Sequence, residues 1–310
     1  SDSQQLQIVC TIFPEYDWVR EIVGDVPGVE VTLLIQNGTD LHSYQPSVRD
    51  IAQIAQADLF CYVGGASDTW VTDVLETASN QSVPVVSMVE SADAAAEEIV
   101  QGMQEDEHHH HDHGHEEEHN HDHDHDEDHG EEELDEHVWL SLRRAQLACR
   151  AICDGICQAD PANAVQYREN CDAYVQKLAQ LDETYTAFFA EDAVRHVILV
   201  ADRFPFRYLA EDYDLTYYAA FPGCSAETEA SFETIVFLAQ QLRENQLPFI
   251  LTTESGNPSL VRTIQESAGM ECGTLQLESM QAITKDKLKS GMTYLTQMEE
   301  NLATLRQAVS

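Results

Sequence analysis

The sequence predicts an α/β fold of two lobes, each with a parallel sheet flanked by helices, and a long helix that joins the lobes. Short apolar runs rich in β-branched residues alternate with segments of helical apolar spacing, an order typical of parallel sheets covered on both faces. The alternation stops and later resumes, which separates two sets of strands. The segment 162–190 between them is helical in pattern and would measure roughly 40 Å at about 1.5 Å per residue.

The first set of strands lies at the start of the chain. Its first run, LQIVCTIF, has the composition of a buried parallel strand, and Pro14 ends it. After the second strand, Val48, Ile51 and Ile54 recur at the spacing of one helix face. Strands are predicted at 6–13, 29–35, 59–63 and 84–88, and helices at 16–23 and 46–57.

A polar insertion interrupts the first half of the chain. Residues 105–136 contain 17 acidic side chains and 11 of the 14 histidines, with no Lys or Arg. Because nothing apolar interrupts 108–133, this segment cannot fold around a core of its own. We predict a flexible, disordered His/Asp/Glu-rich loop at 105–133, tethered at both ends.

Two helices, at 138–157 and 162–190, precede the second set of strands. Asp160 and Pro161 separate them, since aspartate caps helices and proline fits a first helical turn. We therefore predict an N-terminal lobe at 1–138, a helical region with the interlobe helix at 139–190, and a C-terminal lobe at 191–310. In the last lobe, strands are predicted at 197–201, 215–220, 249–253 and 273–277, and helices at 205–213, 232–245, 258–268 and 284–309.

Charge and composition exclude several classes of protein. The 310 residues include 56 Asp and Glu against 16 Lys and Arg, a formal net charge of −40. Such a surface repels nucleic acid and anionic membranes and attracts cations. The hydrophobic content of 43% rules out a wholly disordered chain, and no run approaches the roughly 18 apolar residues of a membrane span. The polar start runs straight into a strand, as in a mature protein whose signal segment has been removed.

The eight cysteines form no CxxC pair. We interpret them as small buried residues, with the formation of one or two disulfides left open, rather than as a thiolate metal site, because free cysteine is commonly buried. Gly223 and Cys224 follow a predicted strand and face the expected cleft between the lobes. For this pair, a role in lining the cleft and a plain turn are both open.

Three histidines lie outside the insertion. His42 follows the second strand and precedes a helix, and His137 begins a helix directly after the insertion. Ligands collect where the carboxyl ends of parallel strands meet, so these two distant residues suit a metal site. His196 stands at the entrance of a strand and is expected to be structural. The loop itself indicates metal capture, since imidazole binds Zn, Cu and Ni while dense carboxylates concentrate divalent cations.

Segments along nearly the whole chain resemble the solute-binding components of zinc and manganese ABC importers. They are IVCTIFPEYDWVREIVGD, GTDLHSYQPSVRDIAQIAQADL, DEHVWLS behind the His-rich insertion, RFPFRYLAEDYDL, TTESGNPSLVRTIQESAG and TLQLESM. The resemblance implies two lobes joined by a rigid helix, with one divalent ion bound between them. It also implies delivery of that ion to a membrane permease and no enzymatic activity. We expect a monomer outside the cytoplasmic membrane, either periplasmic or lipid-anchored.

The resemblance also implies the metal ligands. Residue by residue, His42 and His137 match the first two ligands and Glu278 the acidic ligand from the C-terminal lobe. The remaining ligand, a His or Glu in the family, falls at Arg203, whose guanidinium stays protonated and cannot bind a cation. Arg203 is expected to pair with Glu278 or another carboxylate when the ion is absent. The candidates for the fourth position are Asp202, Glu254, water and a histidine of the loop.

The chemistry of this ligand set favours zinc. Two imidazoles, a carboxylate and one further ligand suit Zn²⁺, which accepts tetrahedral coordination at about 2.0–2.2 Å. Mn²⁺ prefers more oxygen ligands, so a manganese receptor of the same family is one alternative. Catalytic zinc sites use the same ligands around an open water position, so a zinc-dependent hydrolase is the other alternative. Against it, the sequence contains no HExxH motif.

Overall fold

The computed structural model describes residues 5–77, 82–104 and 133–310. The loop predicted at 105–133 therefore lies outside the described residues, apart from Glu133 at its end. The predicted α/β fold is confirmed, since two four-stranded parallel sheets are flanked by helices and accompanied by one long helix. None of the helices in the described ranges has the length and apolar content of a membrane-spanning segment. The division into three regions, 1–138, 139–190 and 191–310, stays a prediction.

Both sheets are parallel throughout. In consequence, the loops that follow the strands of one sheet meet at a single edge. The first sheet has the order β2-β1-β3-β4, with β1 at Leu6–Cys10, β2 at Val29–Leu33, β3 at Leu59–Tyr62 and β4 at Val85–Ser87. The second has the order β6-β5-β7-β8, with β5 at Val197–Phe204, β6 at Thr216–Pro222, β7 at Phe249–Thr252 and β8 at Gly273–Gln276.

The helices follow the predicted order, with three differences. Two short helices, α3 and α4 below, were not predicted. The single helix predicted at 284–309 is wrong, because Gly291 adopts φ +82° and divides it in two. The helices are α1 Phe13–Val23, α2 Val48–Ala55, α3 Trp70–Thr77, α4 Met88–Ser91, α5 Leu142–Ala159, α6 Ala164–Phe189, α7 Arg207–Asp212, α8 Phe232–Glu244, α9 Pro258–Ala268, α10 Lys285–Lys289 and α11 Tyr294–Val309.

The long helix α6 is tied to both ends of the chain. Near its start, the Asn170 amide donates to the carbonyl of Ile22 at the end of α1, at 2.9 Å. Near its end, the Tyr185 hydroxyl donates to the carbonyl of Met298 in α11, at 2.6 Å. One buried apolar cluster runs from the first sheet through α5 and α6 to α11 and into β5. The two sheets are thus joined through one continuous packed core that includes α5, α6 and α11.

Asp17 on α1 provides a test of this packing. Its carboxylate is buried and accepts from the backbone N–H of Tyr294, at 2.9 Å, where α11 begins. Burial raises the pKa of Asp17 to about 6. The folded state therefore binds the Asp17 proton more tightly than the unfolded chain does. The stability that Asp17 contributes is fully present below about pH 4 and is lost as the pH rises towards 6.

Replacing Asp17 by Asn removes the buried charge and keeps an acceptor for Tyr294. At pH 8, Asp17→Asn is expected to raise the free energy of unfolding by roughly 3 kcal/mol, given about 1.4 kcal/mol per pKa unit, and at pH 4 it is expected to have little effect. Denaturant unfolding of both proteins at the two pH values measures this difference. An equal effect at both values would contradict the explanation.

Candidate metal-binding site

The structure brings the two predicted histidines together. His42 lies in a 3-10 turn, Leu41–Ser43, beyond β2, and His137 immediately precedes another, Val138–Leu140, before α5. Their Nε2 atoms are 3.2 Å apart. Two nitrogens that share one tetrahedral zinc at about 2.05 Å lie roughly 3.3 Å apart, so this separation suits a shared ion. His137 is fully buried, and His42 is partly accessible from the cleft.

Hydrogen bonds on the other ring nitrogens orient both imidazoles. The Nδ1 atom of His137 lies 2.8 Å from the Asp135 carboxylate, and Nδ1 of His42 lies 3.2 Å from Glu136 Oε1 and also contacts the Ser67 hydroxyl. Because an ionised carboxylate only accepts, it holds the proton on Nδ1 and leaves the Nε2 lone pair for a cation. Both rings are therefore held in the tautomer that a metal ion requires, with the proton on Nδ1 and the lone pair on Nε2.

Glu136 also lies at this site, although the sequence analysis did not predict it. Besides His42, its carboxylate accepts from the Ser67 hydroxyl and from the Ser67 backbone N–H, the latter at 3.2 Å. Burial raises the pKa of Glu136, but the hydrogen bond from His42 and the charges of His42 and His137 outweigh it and lower the pKa to about 2. The only signal in the sequence was its position next to His137.

Gly65 makes room for Glu136. A Cβ atom at Gly65 would lie 2.2 Å from Glu136 Oε2 and 2.4 Å from Glu136 Cβ. The φ of Gly65 is −99°, which any residue adopts, so glycine is needed there for space alone. The Gly64-Gly65 turn after β3 is thus part of the site.

Cys224 completes a group of four possible ligands. It lies in the loop after β6, half-buried, with Sγ 3.6 Å from Glu136 Oε1. His42, Glu136, His137 and Cys224 each offer one ligand atom, and these atoms all lie within 4.8 Å of one another. Burial and the charge of Glu136 raise the pKa of the Cys224 thiol. The open question about Gly223 and Cys224 is resolved in favour of a position at the site.

Glu278, the predicted acidic ligand, is not a member of this group. Its carboxylate, almost fully buried after β8, pairs with the Lys287 ammonium and accepts from the backbone N–H of Met280, at 3.1 Å. The two segments that carry the histidines contact residues that follow Glu278 in the chain. The Leu41 N–H donates to the Gln281 carbonyl at 3.1 Å, and the Trp139 indole N–H donates to the Ser279 carbonyl at 2.7 Å.

Arg203 pairs with a carboxylate, as expected. Its partner is Asp40, at 2.8 Å. Burial raises the pKa of Asp40, but the hydrogen bond and charge of Arg203 outweigh it, and the pKa is lowered. Asp40 also accepts from the backbone N–H of His42, at 2.9 Å, so the arginine supports the turn that carries this histidine.

The other candidates for the fourth ligand have different partners. The Asp202 carboxylate accepts from the hydroxyl and the N–H of Thr253, at 2.7 and 3.2 Å. The Glu254 carboxylate accepts from the hydroxyl and the N–H of Ser279. Burial and the nearby charge of Glu278 raise the pKa of Glu254 to about 7. Neither residue belongs to the group of four, and a histidine of the loop lies outside the described residues.

Sequence comparisons identify relatives along the whole chain. A family model for the periplasmic component A of a zinc-uptake complex, ZnuA, matches residues 8–308. The zinc-binding lipoprotein AdcA of Streptococcus pneumoniae is 31% identical over 307 residues, which make up 98% of this chain and 56% of AdcA. The high-affinity zinc uptake system protein ZnuA of Bacillus subtilis is 30% identical over 311 residues, covering 100% of this chain and 89% of that protein.

Solved structures share the fold. The Zn(II)-bound ZnuA-like domain of S. pneumoniae AdcA matches with a TM-score of 0.72 and 28% identity, covering 98% of each chain. The metal-dependent lipoprotein YcdH of B. subtilis matches with a TM-score of 0.75 and 25% identity, covering 98% of this chain and 99% of that one. The chain spans 56% of the length of AdcA, so it corresponds to one part of that protein.

Proposed function

Because this chain belongs to the family of periplasmic zinc-uptake components, we propose that it is an extracytoplasmic solute-binding protein that binds Zn²⁺ between its lobes and delivers the ion to an ABC permease. The observation that carries the proposal is the pair of Nε2 atoms, 3.2 Å apart, on His42 and His137. Two buried carboxylate partners keep both atoms available to a cation. We propose that the protein acts as a monomer, periplasmic or lipid-anchored.

His42 and His137 are the two ligands that we propose with geometric support. Glu278 remains our proposed ligand from the C-terminal lobe, because segments around both histidines contact its neighbours. To bind the ion it must leave Lys287, whose half-exposed ammonium can turn to solvent. Zinc is the proposed cargo, and Mn²⁺ is the alternative ion. The hydrolase interpretation has no support from the relatives named above, which are described as zinc-binding or zinc-uptake proteins.

The His-rich loop is proposed to collect ions and raise their concentration near the cleft. Deleting 105–133 is expected to leave one tight Zn²⁺ site and to abolish several weak ones. Isothermal titration calorimetry of the full chain and of the deletion variant, each freed of metal first, measures both classes. Loss of the tight site in the deletion variant, with its thermal unfolding unchanged, would overturn the assignment of that site to the cleft.

A further inference from the structure

We propose that Cys224 supplies a thiolate ligand to the bound ion and takes the place of the ligand that is missing at Arg203. This inference rests on the proposed function and refines it, because it names the fourth ligand and the chemical preference of the site. For Cys224, it replaces the prediction from the sequence that the cysteines are small buried residues. That interpretation holds for the cysteines of α5, which are buried against α6.

The sheet topology explains how Cys224 can replace Arg203. Strands β5 and β6 are neighbours, and Arg203 is paired in register with Phe221. Cys224 follows Phe221 by three residues, in the loop at the same edge of the sheet. A ligand lost from the end of β5 can therefore be supplied from the end of β6. The Arg203 guanidinium turns instead to Asp40.

Packing around Gly223 fixes the backbone next to Cys224 against His137. A Cβ atom at Gly223 would lie 3.0 Å from Cε1 of His137 and 3.0 Å from the carbonyl oxygen of Phe204, so the backbone runs directly over the imidazole. On the other side, the Cys224 N–H donates to Glu97 at 3.4 Å. The donor atoms of His42, His137 and Cys224 already lie within 4.8 Å of one another. Nitrogen and sulfur ligands of one tetrahedral zinc lie roughly 3.3–3.8 Å apart, so small side-chain movements bring the two histidines and Cys224 around one ion.

The chemistry of the group predicts its metal preference. Zn²⁺ binds sulfur and imidazole nitrogen well, whereas Mn²⁺ prefers oxygen ligands. The Cys224 proton passes to solvent when the metal–sulfur bond forms, and the cation compensates the negative charges of the thiolate and of Glu136. A thiolate at this position therefore selects Zn²⁺ over Mn²⁺.

Cobalt substitution tests the proposal directly. Co²⁺ added to the metal-free full chain is expected to give a sulfur-to-cobalt charge-transfer band in the near ultraviolet, together with visible bands of a tetrahedral site. In Cys224→Ser the charge-transfer band should disappear, and Zn²⁺ affinity should fall by at least about tenfold, as for loss of other groups that support a metal. Affinity for Mn²⁺ should change less, so the ratio of the two affinities should fall.

Cys272→Ser is the matched control, because Cys272 is also half-buried but lies before β8, next to Gln265. It should leave both the band and the affinities unchanged. A wild-type protein without the band, or a band that persists in Cys224→Ser, would overturn the proposal. If Cys224→Ser binds Zn²⁺ normally while His137→Ala does not, the thiolate ligand is wrong and the proposed function stands. If neither change affects binding, the cleft site itself is wrong.

Discussion

Replacing His137 by Ala is expected to weaken Zn²⁺ binding by more than about a hundredfold. Groups that merely orient a ligand contribute roughly 10- to 100-fold to metal affinity, and His137 is proposed as a ligand. The change also leaves Asp135 without its imidazole partner. The measurement is competition with a chromophoric zinc chelator. It should be made on proteins that lack 105–133, so that weak sites in the loop do not mask the loss.

Two further variants make this result interpretable. His42→Ala removes the partly exposed ligand and should weaken binding to a similar degree, with less effect on the core than the fully buried His137. His196→Ala is the control, since this histidine contacts the Asp214 carbonyl at the opposite end of β5. It should bind zinc normally. Full affinity in both His42→Ala and His137→Ala would mean that the ion binds elsewhere.

Replacing Gly65 by Ala is expected to damage both stability and binding. The added Cβ would overlap the Cβ of Glu136, which is attached directly to the backbone and cannot rotate away. Overpacking of this kind costs about 1–3 kcal/mol. Because Glu136 orients His42, displacement of its carboxylate should also reduce zinc affinity, by about tenfold or more. Denaturant unfolding and the same chelator competition measure the two effects.

Gly155→Ala is the matched control for this substitution. Gly155 lies within α5, where a Cβ would meet methyl groups of Leu59 and Val86 at 3.1 Å, a contact that small side-chain shifts relieve. Alanine also favours a helix interior by about 0.5–1 kcal/mol relative to glycine. We therefore expect a net change in stability within about 1 kcal/mol and unchanged zinc affinity. An equally mild effect of Gly65→Ala would show that the contact with Glu136 is not restrictive.

Local patterns were sufficient for most of the fold. Short apolar runs marked strands such as β3, with the sequence LFCY, and β7, with the sequence FILT, because a strand buried on both faces needs apolar side chains along its length. Apolar spacing did not predict features that depend on only a few residues. Helix α4 has only four residues, and the break between α10 and α11 depends on one glycine, Gly291, within an otherwise continuous helical pattern. Such features depend on packing and on backbone conformation that spacing does not encode.

Hydrophobic pattern and loop position were enough to predict the two-lobed α/β fold and to select His42 and His137 as a candidate pair. The order of the helices and strands follows from the local hydrophobic pattern. The loops that carry the histidines meet because the carboxyl ends of parallel strands lie at one edge of a sheet. The folded structure was needed to see which other side chains reach the imidazoles. It brought Glu136 and Cys224 to them and paired Glu278 with Lys287. This is because ligand distances of a few ångströms depend on loop conformation and on side-chain packing between distant segments, and a local sequence pattern contains no information on either.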